Sequence, residues 1–337
     1  MQTSALRDHV ATTLVDFARD QWSQMGVSVP SARPDDMWAQ DPEALLVFTL
    51  DVGRGDARLF DEVLDWLRVN GAMISGRRLN RLAHRDGLEG AVVFAAVEWA
   101  SAYGSPLRIP SRATPPAAEP VSVFERTGVP GRWDEIFLRH GLAKPATQLS
   151  GKSSRPDLRL PINLAFRLRG LFGVSSRAEI VRFLLTSGVH FATTLAIAEA
   201  AISTKRNVND ALNDLASSGV VERVVVGNEA RYALDRSRWA PLLGLTVDAV
   251  PMYRDWQSLL AALGEIHRWL GADDLDTLSE YLRASEARQL LMRIKSMLER
   301  GGVAVTARGK AADYWPSFVE TVESALARLA PVGTRAS

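Results

Sequence analysis

The chain has 337 residues, of which 47% are hydrophobic and 23% charged, and its formal net charge is +1. This length allows two or three domains, and the composition is that of an ordinary globular protein. The absence of cysteine excludes disulfides, thiolate metal sites and cysteine nucleophiles. No signal-peptide pattern opens the chain and no apolar run approaches a membrane span, so we expect a cytoplasmic protein with no membrane partner.

Residues 1–103 are predicted to form a helical domain, because apolar residues recur at helical spacing from Leu6 to Trp22 and in later segments. Part of this region could be a degenerate helix-turn-helix that turns a polar set toward DNA, namely Arg77, Arg78, Asn80 and Arg81. However, the region has ten basic and fifteen acidic residues and no hairpin follows it. We therefore favour an interaction or dimerisation domain.

Residues 104–160 are predicted to form a linker with one short helix. Ser105–Pro120 is rich in Pro, Ala and Ser, which is typical of an exposed connector. A short helix is expected around Trp133–His140, and a helix over Ile162–Phe172 is expected to brace the domain that follows.

The most informative pattern lies within residues 161–245, where three helices precede a β-hairpin. The second helix begins at Thr193–Thr194, and after a turn at Ile202–Ser203 the third runs from Thr204 to Ser217. Two strand patterns, Val220–Val226 and Arg231–Leu234, are joined by a Gly-Asn turn. This order predicts a mainly α, multi-domain protein with a central winged helix-turn-helix that carries a small β-hairpin.

The third helix turns polar side chains outward: Lys205, Arg206, Asn207, Asn209, Asp210 and Asn213. Asparagine can pair in bidentate fashion with adenine in the major groove, and arginine or lysine with guanine. The alternative is an ordinary solvated helix face. The position of this helix after a helix-turn and before a hairpin favours DNA readout.

The net charge of residues 151–240 is +5, so the positive excess coincides with the predicted winged helix. Phosphate contact is the physical use of such a basic run. The candidates for this role are Arg167, Arg169 and Arg177, and we expect Thr193 and Thr194 to contact phosphate at a helix start.

The segment resembles the winged helix-turn-helix of ArsR- or MarR-type bacterial transcription regulators. The matching residues are Thr204, Val208, Leu212, Leu215, Gly219 and Val220. The resemblance covers about a fifth to a quarter of the chain. It implies that the third helix enters the major groove. It also implies that the hairpin lies along a neighbouring phosphate strand or the minor groove, through Arg223, Asn228 and Arg231. The metal-sensing cysteines of many ArsR proteins are missing, so no metal effector is implied.

Residues 246–330 are predicted to form a helical C-terminal domain. Its apolar stripes fit either the interface of a homodimer or the core of a monomer. Phosphate-loop and dinucleotide-binding signatures are absent, and the five histidines have no metal-ligand spacing. We therefore expect no catalysis, no metal and no cofactor.

Two classes of function remain, and the first is sequence-specific binding of double-stranded DNA by a transcription regulator. The second is a protein adaptor, loosely similar to winged-helix antitoxins that neutralise nucleotidyltransferase-like toxins. The acidic N-terminal region favours this second class. A small-molecule sensor is a third hypothesis, with a cavity near Tyr253, Trp256 and Trp269.

Overall fold

The computed structural model describes residues 2–30, 38–85, 90–110, 119–124, 132–272, 274–305 and 314–330, and these are mainly helical. The helices are α1 (Thr3–Gln24), α2 (Pro42–Val52), α3 (Ala57–Asn70), α4 (Gly76–Arg85), α5 (Gly90–Ala102), α6 (Glu135–Arg139), α7 (Leu164–Phe172), α8 (Ser176–Thr186), α9 (Thr194–Ala200), α10 (Lys205–Ser217), α11 (Arg236–Leu242), α12 (Trp256–Leu270), α13 (Glu280–Arg300) and α14 (Tyr314–Ala327). The strands are β1 (Val121–Ser122), β2 (Leu142–Ala143), β3 (Ala192–Thr193), β4 (Glu222–Val226) and β5 (Glu229–Ala233). None of the described helices is both long and apolar enough to cross a membrane.

Helices α1–α5 and α12–α14 share one core, which we call the helical body. Four tryptophans are buried in this core, and the indole N–H group of each has an acceptor: Trp22, Trp66, Trp99 and Trp256. Trp22 donates to the Thr49 hydroxyl at 2.8 Å, and Trp256 donates to the Ala39 carbonyl at 3.0 Å. Trp256 also packs against Phe17 of α1, with ring centroids 5.4 Å apart. The N- and C-terminal regions, predicted as separate domains, therefore bury their apolar faces against each other.

Some described parts of the connector, residues 104–160, pack on the body, while many of its residues are exposed. Ser105 and Leu107 are buried, and β1 pairs in parallel with β2. The ammonium group of Lys144 is fully buried, 2.7 Å from the Asp61 carboxylate. The predicted short helix is present as α6. Residues 111–118, at the Pro-rich centre of the predicted linker, lie outside the described residues.

A second core belongs to residues 164–250, which we call the hairpin unit. Strands β4 and β5 form an antiparallel hairpin whose turn contains Gly227 at φ +61°, and β3 completes the sheet in the order β3-β5-β4. The predicted helices and hairpin are present. The first strand begins two residues later than predicted, because the N–H groups of Val220 and Val221 donate to the Leu215 carbonyl at the end of α10. Strand β3 has only two residues, too few to show a periodic pattern.

Six buried charged side chains join the hairpin unit to the body: Asp41, Glu43 and Arg78 from the body, and Arg169, Glu179 and Arg182 from the unit. Glu179 accepts hydrogen bonds from all three arginines. Burial by itself would raise the pKa of Glu179 and of Asp41, but the neighbouring guanidinium groups hold both pKa values below their usual range. The three positive and three negative charges balance, so the cluster fixes the two parts together.

Candidate nucleic-acid interface

Helix α10 is positioned by strong local signals at both ends. The Thr204 hydroxyl caps its start by accepting from the Asn207 N–H at 3.2 Å, and Gly219 follows its end at φ +70°. Its inner face, which includes Val208 and Leu212, is buried against α8 and α9. Burying side chains of this size contributes about 1.5–3 kcal/mol each, which holds the helix on the unit.

The outer face of α10 is open. All five predicted base-reading residues are exposed, and their side chains make no hydrogen bond or ion pair with any residue that the structure describes: Lys205, Arg206, Asn207, Asn209 and Asn213. Asp210 is exposed beside them, while the Asp214 carboxylate binds Arg177 of α8. The structure therefore leaves two cations and three amides of this helix free to meet a partner.

The hairpin presents a smaller set of polar groups. Arg223 and Asn228 are exposed, and Asn228 lies at the turn between β4 and β5. Arg231 is paired with Glu229 across 3.3 Å, and this pair is partly exposed to solvent. An exposed ion pair of this kind contributes little to stability, so Arg231 can exchange Glu229 for another anion at low cost.

Of the two threonines at the start of α9, Thr193 is the more exposed. It accepts from the Ala196 N–H at 3.2 Å and so caps the helix. Thr194 is 9% exposed, so only a small part of its surface can meet a partner. The phosphate contact through Thr194 stays a prediction.

The structure corrects the predicted phosphate contacts ahead of the hairpin unit. Arg169 is buried among Glu43 and Glu179 in the ion-pair cluster, so it cannot bind a phosphate. Arg167 donates to the backbone carbonyls of Leu158 and Leu243, and burial lowers its pKa. Arg177 is exposed but bound to Asp214, which reduces the charge that it offers to a phosphate.

These assignments weaken the argument from net charge. Residues 175–235 contain six basic and seven acidic side chains, so the segment itself is not positive. The excess over residues 151–240 comes from basic residues on either side of that segment, and of these Arg169 lies in the buried cluster and Arg167 binds backbone carbonyls. Lys205 and Arg206 at the first turn of α10 and Arg223 on the hairpin are exposed cations of the unit, and Arg238 of α11 is another.

The polar residues of α4, which the sequence offered as a possible degenerate helix-turn-helix, lie beside α10. Arg81 of α4 donates to the Ile202 carbonyl, at the corner between α9 and α10, with a distance of 2.7 Å. Arg77 lines a cleft together with Asn207 of α10. The basic character of α4 was visible in the sequence, but its place beside α10 depends on tertiary packing.

The described residues contain no group of three or more His, Cys, Asp or Glu side chains that could hold a metal ion. Comparison of the chain with protein-family models, curated proteins and solved structures found no match.

Proposed function

We propose that the hairpin unit is a winged helix-turn-helix and that the protein binds double-stranded DNA with sequence preference, as a cytoplasmic transcription regulator. The observation that carries this proposal is the outer face of α10, where five exposed side chains suited to base edges have no partner in the described fold. The element order around α10 and the resemblance to ArsR- and MarR-type regulators support it.

In this mechanism α10 lies in the major groove. The amides of Asn209 and Asn213 pair with adenine, and Arg206 pairs with guanine. Asp210 repels phosphates, but its carboxylate can accept from the amino group of cytosine. Arg223 contacts the backbone beside the groove and fixes the register of the helix. A homodimer belongs to this proposal, because such proteins commonly bind paired half-sites about 34 Å apart.

The test starts with selection of bound sequences from random duplexes, followed by affinity measurements at fixed salt. Arg206→Ala should weaken binding by about 1–3 kcal/mol, or roughly 5- to 150-fold, and relax the preference at one position. Arg293→Ala is the control, because Arg293 is 61% exposed on α13 of the body, where it pairs with Glu265 at 3.3 Å. No retention of the wild-type protein on any duplex at low salt would refute the proposal.

A protein adaptor, such as an antitoxin, is a second candidate. One observation favours it: the hairpin unit exposes large apolar side chains, with Leu195 55%, Val225 61% and Val226 54% exposed. Such side chains on a polar surface suit a protein partner. The two candidates differ in salt dependence, because DNA binding weakens steeply with salt and contact through apolar groups does not.

A further inference from the structure

Helix α4 of the body lies against the corner that precedes α10. Asn80 and Arg81 line a cleft of about 420 Å³ together with Ile202 and Lys205. Arg77 lines a second, smaller cleft, of about 60 Å³, with Ser203 and Asn207. Side chains of α4 therefore line two clefts at the first turn of α10.

This arrangement is fixed by buried contacts. Ile202 is 3% exposed, and its side chain belongs to the core of the body, although its neighbours in the chain pack in the hairpin unit. Arg78 of α4 binds Glu179 of α8 in the buried ion-pair cluster. These contacts hold α4 to the corner before α10 and to α8, which packs on α10, so α4 keeps a fixed place near α10.

The exposed charge around this corner is positive. Arg77 is exposed, and its side chain has no hydrogen bond or ion pair with the residues that the structure describes. Glu199 is exposed and lines the larger cleft, whereas the carboxylate that lines the smaller cleft is Glu179, which is already bound by three arginines. A polyanionic strand passing the smaller cleft would therefore meet Arg77 and no unpaired carboxylate among the residues that line it.

We propose that α4 is part of the DNA interface and that Arg77 binds a backbone phosphate of the strand bordering the groove that α10 enters. This inference rests on the proposed DNA-binding function and extends it from the hairpin unit to the body. The inference places a phosphate contact within residues 1–103. Their fifteen acidic and ten basic residues had favoured an interaction domain over a DNA-binding one. The contact positions the protein and does not read sequence.

The test is a salt titration of full-length wild type, Arg77→Gln and the control Arg293→Gln on one selected duplex. Each phosphate contact contributes about 0.9 to the slope of log affinity against log salt. Arg77→Gln should lower the slope by about 0.9. The ratio of wild-type affinity to Arg77→Gln affinity should therefore be about eightfold larger at 0.1 M salt than at 1 M salt. The preferred sequence should stay the same. Arg77→Glu should weaken binding further.

The outcomes separate the two proposals. If wild type binds the duplex and Arg77→Gln matches Arg293→Gln in slope and affinity, the α4 contact is overturned while DNA binding stands. If Arg77→Gln changes the preferred sequence, the residue reads a base and the phosphate assignment is overturned. If wild type binds no duplex, the proposed function itself fails. Because Arg77 is exposed, equal thermal midpoints of the variants should show that folding is unaffected.

Discussion

Replacing Glu179 with glutamine removes one charge from the buried ion-pair cluster and leaves the side-chain volume nearly unchanged. The Glu179 carboxylate accepts four hydrogen bonds from Arg78, Arg169 and Arg182, and the two from Arg169 measure 2.7 and 3.0 Å. In Glu179→Gln, three buried guanidinium groups face two carboxylates. Removing one partner from a buried pair typically costs about 3–5 kcal/mol, because it leaves an uncompensated charge.

The assay is urea unfolding of the full chain, followed by tryptophan fluorescence and by circular dichroism to check that the two transitions coincide. We expect the free energy of unfolding to fall by about 3–5 kcal/mol in Glu179→Gln. Glu222→Gln is the control, since Glu222 is exposed on β4 and should shift stability by less than about 0.5 kcal/mol.

A double variant tests the charge-balance argument directly. Among the described residues, Nε of Arg78 and Nη1 of Arg182 have no hydrogen-bond partner, but Nε of Arg78 still lies 3.3 Å from the Glu43 carboxylate. Arg182 is therefore the cation of the cluster that we choose to remove. Glu179→Gln with Arg182→Met restores two cations against two carboxylates, and it should be more stable than the sum of the single losses predicts. A loss below about 1 kcal/mol in Glu179→Gln, or strict additivity in the double variant, would refute the reasoning.

Two further predictions concern acid stability and the cap of α10. Because the folded-state pKa values of Glu179 and Asp41 lie below their usual range, the cluster contributes fully above about pH 5. This contribution is lost as the pH falls below the unfolded-state values near 4, so the stability gap between wild type and Glu179→Gln should narrow there, and a constant gap would contradict the assignment. Thr204→Ala should cost about 0.5–2 kcal/mol in thermal unfolding, because the Asn207 N–H loses its acceptor. Thr204→Ser keeps the cap and should stay close to wild type, and equal losses in both variants would argue against capping.

The elements of the hairpin unit could be predicted because their signals are local. Thr204 and Gly219 bound α10 in the sequence as they do in the structure, and Gly227 lies in the hairpin turn. Apolar spacing fixed which face of α10 is buried, and so which side chains remain exposed. These inferences need only the few residues on either side of each position.

The roles of the arginines could not be predicted in the same way. Arg169 binds Glu43, which lies 126 positions away in the chain, and Arg182 binds Asp41, 141 positions away. A count of charges treats every arginine as solvated, so it assigned Arg169 to a phosphate. The packing of the N- and C-terminal helices into one core also depends on long-range contacts. An apolar stripe shows that a helix face is buried, but it does not show which element covers that face.

At Ile202, local backbone geometry depends on long-range packing. Its φ of +50° lies in the left-handed region, where a β-branched residue is strained by about 1–3 kcal/mol and where glycine or asparagine would be expected. Burial of an isoleucine side chain is worth about 1.5–3 kcal/mol, and this side chain is buried in the body. Burial of the Ile202 side chain therefore offsets the backbone strain, and Arg81 adds a hydrogen bond to the Ile202 carbonyl. The corner that precedes α10 is thus held by the body, so the direction in which α10 points is a property of the whole chain.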